Sequence, residues 1–226
     1  MINDSVTEKI LCKEFLFDIT GGVYFKKRKT LIVSDLHLGK GVSLNNRGNF
    51  LPLYDFEETV MKLEKLIKKY NPMNVISLGD NFHDNLSITN MSEIQINEIK
   101  KITSKLNFFW INGNHDNKLL NKEKVGGKFL ENLEQDKFSF CHIKTKKINN
   151  FQFSGHYHPK TFLKINNSRF YFKCFILGQN YCILPSFGHY TGGIDVKSDI
   201  IKNNIESKAK LLVLGKRKII QKDYTK

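Results

Sequence analysis

The stretch TLIVSDLHLGKG, residues 30–41, opens on a short run of apolar and β-branched positions and closes on an aspartate, a histidine and two glycines. This is the pattern of a buried strand whose carboxyl end carries polar groups. Two later stretches repeat it: MNVISLGDNFHD at 73–84 and NFFWINGNHD at 107–116. Between the first two, Phe56, Val60, Leu63 and Ile67 recur at helical spacing over 55–70, and Asp55 with Glu58 has the spacing of a capping box. Between the second and third, SEIQINEIKKITSKL at 92–106 has the pattern of another amphipathic helix. Strands alternating with helices predict a parallel α/β arrangement.

Working outward, KEFLFDIT (13–20) and GGVYFKKRK (21–29) predict a hairpin turning at Gly21 and Gly22. After residue 118 comes a lysine-rich connection with Gly126 and Gly127, expected to hold a short helix. The second half changes character: KFSFCHIK (137–144), NFQFSGHYHP (150–159), SRFYFKCFIL (168–177), NYCILPSFG (180–188) and AKLLVLGKRKIIQ (209–221) are strand-like, with little helix between them. No internal repeat or low-complexity linker interrupts the chain. The expectation is an α/β fold in one domain spanning 1–226, its core two packed sheets with helices outside.

Composition bounds the function. A chain of 226 residues, 40% hydrophobic and 26% charged, has the length and balance of a globular domain with a full core. The amino-terminal stretch carries early acids and no secretory pattern, and no run of about 18 apolar residues occurs, so a cytoplasmic protein without a membrane span is expected. Cys12, Cys141, Cys174 and Cys182 have no CxxC spacing and are expected as free, mostly buried thiols. The net charge of +14 admits two explanations. One is a polyanionic partner; the other is a lysine-, asparagine- and isoleucine-rich composition with no binding role.

Polar and ionisable residues gather at strand ends: Asp35 and His37, then Asp80, Asn114 and His115, His142, and finally His156 and His158. In open α/β sheets ligands collect beyond the carboxyl ends of the strands. Packing explains one histidine there but not five strand ends of oxygen and nitrogen donors. FSGHYHP at 153–159 fits two descriptions. If the strand continues, His156 and His158 project to one side; otherwise Gly155 and Pro159 bracket a turn.

The ordered series SDLHLG, LGDNFHD, INGNHD, CH and SGHYH resembles the calcineurin-like metallophosphoesterase superfamily over residues 31–158. DLHLGKG, GDNFHD and LPSFGHYTGG are similar, more closely, to bacterial metallophosphoesterases associated with DNA ligase, thought to be DNA-repair endonucleases. The resemblance implies a four-layer αββα sandwich of two mixed β-sheets flanked by helices. It implies two divalent cations, with Asp80 bridging, Asp35, His37 and His158 completing one and Asn114, His142 and His156 the other. Mixed carboxylate and imidazole ligands suit manganese, iron or zinc, with manganese foremost. Such a pair clamps the oxygens of an in-line displacement at phosphorus and acidifies a water.

The resemblance further implies that His115 faces the phosphate, as proton donor or charge stabiliser; holding its loop is the plain alternative. Relatives carry an aspartate at the position of His83 to orient that histidine, so His83, Asp84 or a water is expected in that role, and His83 can also reach substrate. Lys40 and Arg47, on a glycine-punctuated loop, are phosphate contacts or merely solvated. The same loop's GKG lacks the spacing of a P-loop, and His189 is expected to be structural or at the rim rather than a ligand. The implied activity is phosphodiester hydrolysis on DNA in repair, in functional association with ligase and helicase proteins. Alternatives are a phosphatase or pyrophosphohydrolase of a nucleotide or phosphoprotein, and an inactive metal-binding scaffold.

Overall fold

The computed structural model describes residues 4–46, 48, 52–146 and 149–226. A first sheet contains β1 (Ser5–Ile10), β2 (Lys13–Asp18), β3 (Val23–Phe25), β4 (Thr30–Val33), β5 (Asn74–Leu78), β6 (Asn107–Ile111) and β7 (Lys128–Leu130), side by side in that order. The strands β1 to β4 run antiparallel and β4 to β7 parallel. Helices α1 (Lys40–Asn45), α2 (Asp55–Tyr70), α3 (Ser87–Asn90) and α4 (Glu93–Thr103) fill the crossovers between β4, β5 and β6. The 13–29 hairpin and the parallel strand–helix alternation are therefore as expected.

The second sheet is built from β8 (Leu133–Gln135), β9 (Phe138–Phe140), β10 (Phe151–Ser154), β11 (Pro159–Ile165), β12 (Ser168–Leu177), β13 (Tyr181–Ile183), β14 (Ile194–Asp195), β15 (Lys208–Leu214) and β16 (Ile219–Thr225). Its order is β14-β11-β12-β13-β10-β9-β8, with β15 and β16 added alongside β12. It too is mixed, since β9, β10 and β13 are parallel while β12 and β15 pair antiparallel.

Strand alternation divides the apolar side chains among three cores. Leu31, Val33, Phe108 and Trp110 face α2 and α4, where Phe56, Val60, Leu63 and Ile102 meet them. Ile32, Ile76 and Ile111 face the other way, onto Phe138, Phe153, Phe175 and Cys182 of the second sheet. Cys174, Ile176, Tyr181 and Ile183 line the far face, covered by Ile201 and Ile205 around the one-turn helix α5 (Asp199–Lys202). The fourth layer is thus thin among the described residues.

One local reading needs correction. Asp55 does not cap α2: its carboxylate accepts the Gly41 N–H at 3.0 Å, tying α1 to α2. The capping box belongs instead to α4, where Ser92 and Gln95 exchange bonds. Of the cysteines, Cys174 and Cys182 are buried, Cys141 is partly so, and Cys12 is exposed in a tight turn after β1.

Candidate metal centre

Parallel strands β4, β5 and β6 of one sheet and β9 and β10 of the other end at a common edge, where their following loops meet. His156 and His158 are not on a strand. The strand β10 stops at Ser154, and both histidines have left-handed backbone, with φ of 70° and 44°. Asp35, His37 and Asp80 share that conformation at 53°, 47° and 46°. Each such residue costs of order 1–3 kcal/mol and persists where surrounding structure over-determines it, typically at functional sites. The two histidines therefore converge through strained turns rather than strand alternation.

Close packing fixes the loops. A Cβ on Gly113 would lie 2.2 Å from Asp80 Oδ1, and one on Gly155 would lie 1.8 Å from Ser34 Oγ. Only glycine lets these backbones approach the two carboxylates. Asp116, which ends GNHD, joins two of the loops. Its buried carboxylate accepts the N–H groups of Asn81 and Gly113 at 2.7 Å and of Phe82 at 3.2 Å.

The expected ligand residues all meet here. Donor atoms of Asp35, His37 and His158 lie within 4.8 Å of one another, as do those of Asp80, His142 and His156. Asn114 joins the second group, its Oδ1 2.9 Å from His142 Nε2. Between the groups stands Asp80, with Oδ2 3.4 Å from His142 Nε2 and 3.9 Å from His37 Nε2.

The donors fit cations better than they fit each other. Both ring nitrogens of His37 are buried without a hydrogen-bond partner among the described residues. His158 Nε2 lies 3.1 Å from Asp35 Oδ1, a charge contact rather than a well-aligned hydrogen bond. His156 Nδ1 and His142 Nε2, two nitrogens, face each other at 3.2 Å. Nδ1–H of His142 donates to the Leu78 carbonyl at 2.8 Å, which leaves Nε2 as the nitrogen that could meet a cation.

Electrostatics agree. Burial pushes the proton affinity of Asp35 up, but His158, His142 and His37 outweigh it and hold the carboxyl below the usual range. Asp80 is likewise held low against its burial, chiefly by His142. Burial drives His37 down to about 3, while Asp80 and Asp35 overcome burial at His142 and raise it to about 9. Two ionised carboxylates surrounded by imidazoles form a cavity that requires positive charge.

His115 belongs to neither of these groups but forms a third with His37 and His83, their donor atoms within 4.8 Å of one another. Nδ1–H of His115 donates to the His83 backbone carbonyl at 2.9 Å, which turns Nε2 toward the centre, 4.0 Å from Asp80 Oδ2. The orienting group is thus a main-chain oxygen. Asp84 is engaged elsewhere, bonded to Ser43 and to Ser87 at 3.0 Å. The His83 ring lies 5.6 Å from that of His115 and 5.8 Å from that of His37. Lys40 is close enough for its charge to lower the proton affinity of His37. Arg47 lies outside the described residues. The backbone N–H of His189 donates to Thr59 Oγ1 at 3.1 Å.

Two further residues had no signal in a chain with 36 lysines and arginines. Nζ of Lys173 donates to the carbonyls of Ser186 (2.8 Å) and Gly188 (3.2 Å) and to Thr191 Oγ1 (3.2 Å). Lys62 Nζ donates to the Phe187 carbonyl at 2.9 Å. The clamped loop in turn donates from Phe187 and Gly188 to the carbonyls of Ser34 and Asp35, at 2.8 and 3.0 Å. The two lysines so position the backbone that carries Asp35.

No helix among the described residues is long and apolar enough to cross a membrane. No curated protein matches the chain. Among solved structures, the nuclease MPE of Pseudomonas putida superposes with a TM-score of 0.78 at 22% identity, covering 96% of this chain and 100% of that one. Yfce, a phosphoesterase from E. coli, reaches a TM-score of 0.43 at 12% identity, over 85% of this chain and 97% of that one, too distant to bear on the argument. The family model for calcineurin-like phosphoesterases matches residues 28–203, the span that holds every residue of the centre described above. The chain belongs to the calcineurin-like phosphoesterase family.

Proposed function

We propose that this phosphoesterase is a two-cation phosphodiesterase acting on DNA, in repair, alongside ligase and helicase proteins. The observation that carries the reading is the placement of Asp80 between two donor groups, Asp35, His37 and His158 on one side and His142, His156 and Asn114 on the other. Manganese is the favoured cation, with iron or zinc compatible with the same donors. Two such ions supply charge neutralisation at phosphorus and an acidified water.

The remaining work falls to side chains of the chain. Asp80 would balance the charge of both sites, since its Oδ2 faces both donor groups while Oδ1 accepts the His115 backbone N–H. His115, oriented by the His83 carbonyl, presents Nε2 to the centre. In its protonated form it donates to the departing oxygen, which otherwise leaves as a costly alkoxide. His83 and Lys40 border that approach, where substrate phosphates are received. The likeness to a nuclease supports a diester in nucleic acid over a monoester; at 22% identity it shows a shared fold, and the substrate is our inference.

A manganese-dependent assay compares bis-p-nitrophenyl phosphate, p-nitrophenyl phosphate and nicked or single-stranded DNA. Hydrolysis of the diester and of DNA is expected. Diester hydrolysis without DNA cleavage, or preference for the monoester, would overturn the DNA assignment. Metal binding without turnover of any substrate would overturn the enzyme.

A further inference from the structure

The hairpin of β11 and β12 leaves the metal centre directly, because β11 begins one residue after His158. Its register sets Lys160 against Lys173, Phe162 against Tyr171 and Lys164 against Arg169. Directly opposed residues of an antiparallel pair point to the same side. One face of the ribbon is therefore wholly cationic and aromatic. Leu163 and Phe172, on the other face, pack into the outer core and fix which side is presented. Lys173 turns its ammonium inward, to the clamped loop; the other cations stay outside.

Those cations gather around the two rings. Lys160 Nζ lies 5.2 Å from the Tyr171 centroid, and the Arg169 guanidinium 4.9 Å from that of Phe162. Lys197 and Lys222 reach the same Phe162 ring at 5.7 and 5.3 Å. Among the described residues none of these cations, nor Lys164, forms an ion pair, whereas Arg28, Lys69 and Lys210 elsewhere each find a carboxylate. Asp195, in register with Lys160, turns instead to the backbone N–H of Lys197 at 2.9 Å. Like charges crowded without an acid repel one another until an anion arrives. Tyr171 remains 53% exposed, with the Lys160 ammonium over its ring.

We propose that this face is a docking surface for a single nucleic-acid strand, with a base stacked on Tyr171 and phosphates taken by Lys160, Lys164 and Arg169, leading toward the metal centre. It rests on the phosphodiester reading of that centre. A single strand is favoured because stacking on a side chain requires an unstacked base, and aromatic platforms flanked by cations are how sequence-tolerant strand binding is built.

Binding of a labelled oligodeoxythymidine is followed by fluorescence anisotropy over a salt series, with EDTA present to prevent cleavage. Circular dichroism melting checks the fold of each variant. Lys164→Ala combined with Arg169→Ala should reduce the slope of log K against log salt by about 1.4, at about 0.7 per lost phosphate contact. Tyr171→Ala should weaken binding roughly 5- to 100-fold at every salt concentration without changing the slope, and Tyr171→Trp should restore it. Wild-type affinity and slope in both variants overturns the proposal. So does tighter binding of duplex that ignores Tyr171→Ala, or ribbon-dependent binding of phosphatidylserine vesicles with none of the oligonucleotide. Unaltered strand binding in the variants, alongside diester turnover by wild type, sinks the surface alone. Ribbon-dependent binding with no turnover of any diester sinks the diesterase reading alone.

Discussion

Replacing Lys173 by methionine tests the clamp on loop 186–191 through an unusual pH dependence. The wild-type ammonium is largely buried, and burial lowers its proton affinity from the ordinary 10.5 to about 8, with only partial help from Asp35. At about 1.4 kcal/mol per tenfold change, that drop corresponds to roughly 3 kcal/mol disfavouring the charged form in the folded state. Against it, the variant loses charged hydrogen bonds and leaves the Ser186 carbonyl without its lysine donor, a loss of about 1–3 kcal/mol for a buried acceptor. Near pH 7 these terms nearly cancel, so the variant should be about as stable as wild type.

The sign follows from linkage. Between about pH 8 and 10.5 the unfolded chain binds more protons at Lys173 than the folded one, so this contribution to stability rises with pH. Urea unfolding of both proteins at pH 7, 8, 9 and 10 reads the term, because shared tyrosines and cysteines cancel in the difference, while Lys62, whose proton affinity Lys173 also lowers, adds to it with the same sign. The wild-type advantage should grow by roughly 2–3 kcal/mol over that range. A difference that stays flat, or falls, refutes the buried clamp.

His115→Ala should retain the metal content of wild type and lose roughly 10²–10⁴-fold in turnover of DNA, with a smaller loss for p-nitrophenolate esters, whose leaving group needs no proton; equal losses would make its role electrostatic, and stripped metals would make it a ligand. Asp18 is buried, which raises its proton affinity, but Lys69 at 2.6 Å, Thr20 and Tyr70 together hold it below 3.8. Its stabilisation is complete above that value and is lost as pH falls through the folded pKa. Asp18→Asn should therefore flatten the acid limb of a stability–pH profile while lowering stability at pH 7, and an unchanged acid limb would show that the network contributes nothing.

The parts of the fold that sequence revealed are those with a strong period. Leu31 to Val33, Val75 to Leu78 and Phe108 to Ile111 are buried on both faces apart from the half-buried Phe109, so they appear as apolar runs, broken only by Ser77, between helices with one apolar stripe. The edge strand β1 did not stand out because SVTEKI is mostly half-exposed and charged, and β7 and β8, at three residues each, are too short for any period. Asp55 had the spacing of a cap but was claimed by a tertiary partner, Gly41. At the centre, residue types at strand ends were legible because each is chemically costly to bury. The left-handed turns at His156 and His158, and the carbonyl of His83 that orients His115, were not, since a backbone conformation or a main-chain acceptor leaves no side chain to read.

The central claim is that Asp80 joins two cation sites. Divalent ions per chain, counted by mass spectrometry after dialysis against manganese and then buffer, test it most directly when wild type is compared with Asp80→Asn. About two ions are expected in wild type, by analogy with paired-metal phosphoesterases, and one or none in the variant, with nearly all diester hydrolysis lost. A folded Asp80→Asn protein that holds two ions and turns over normally would contradict the claim.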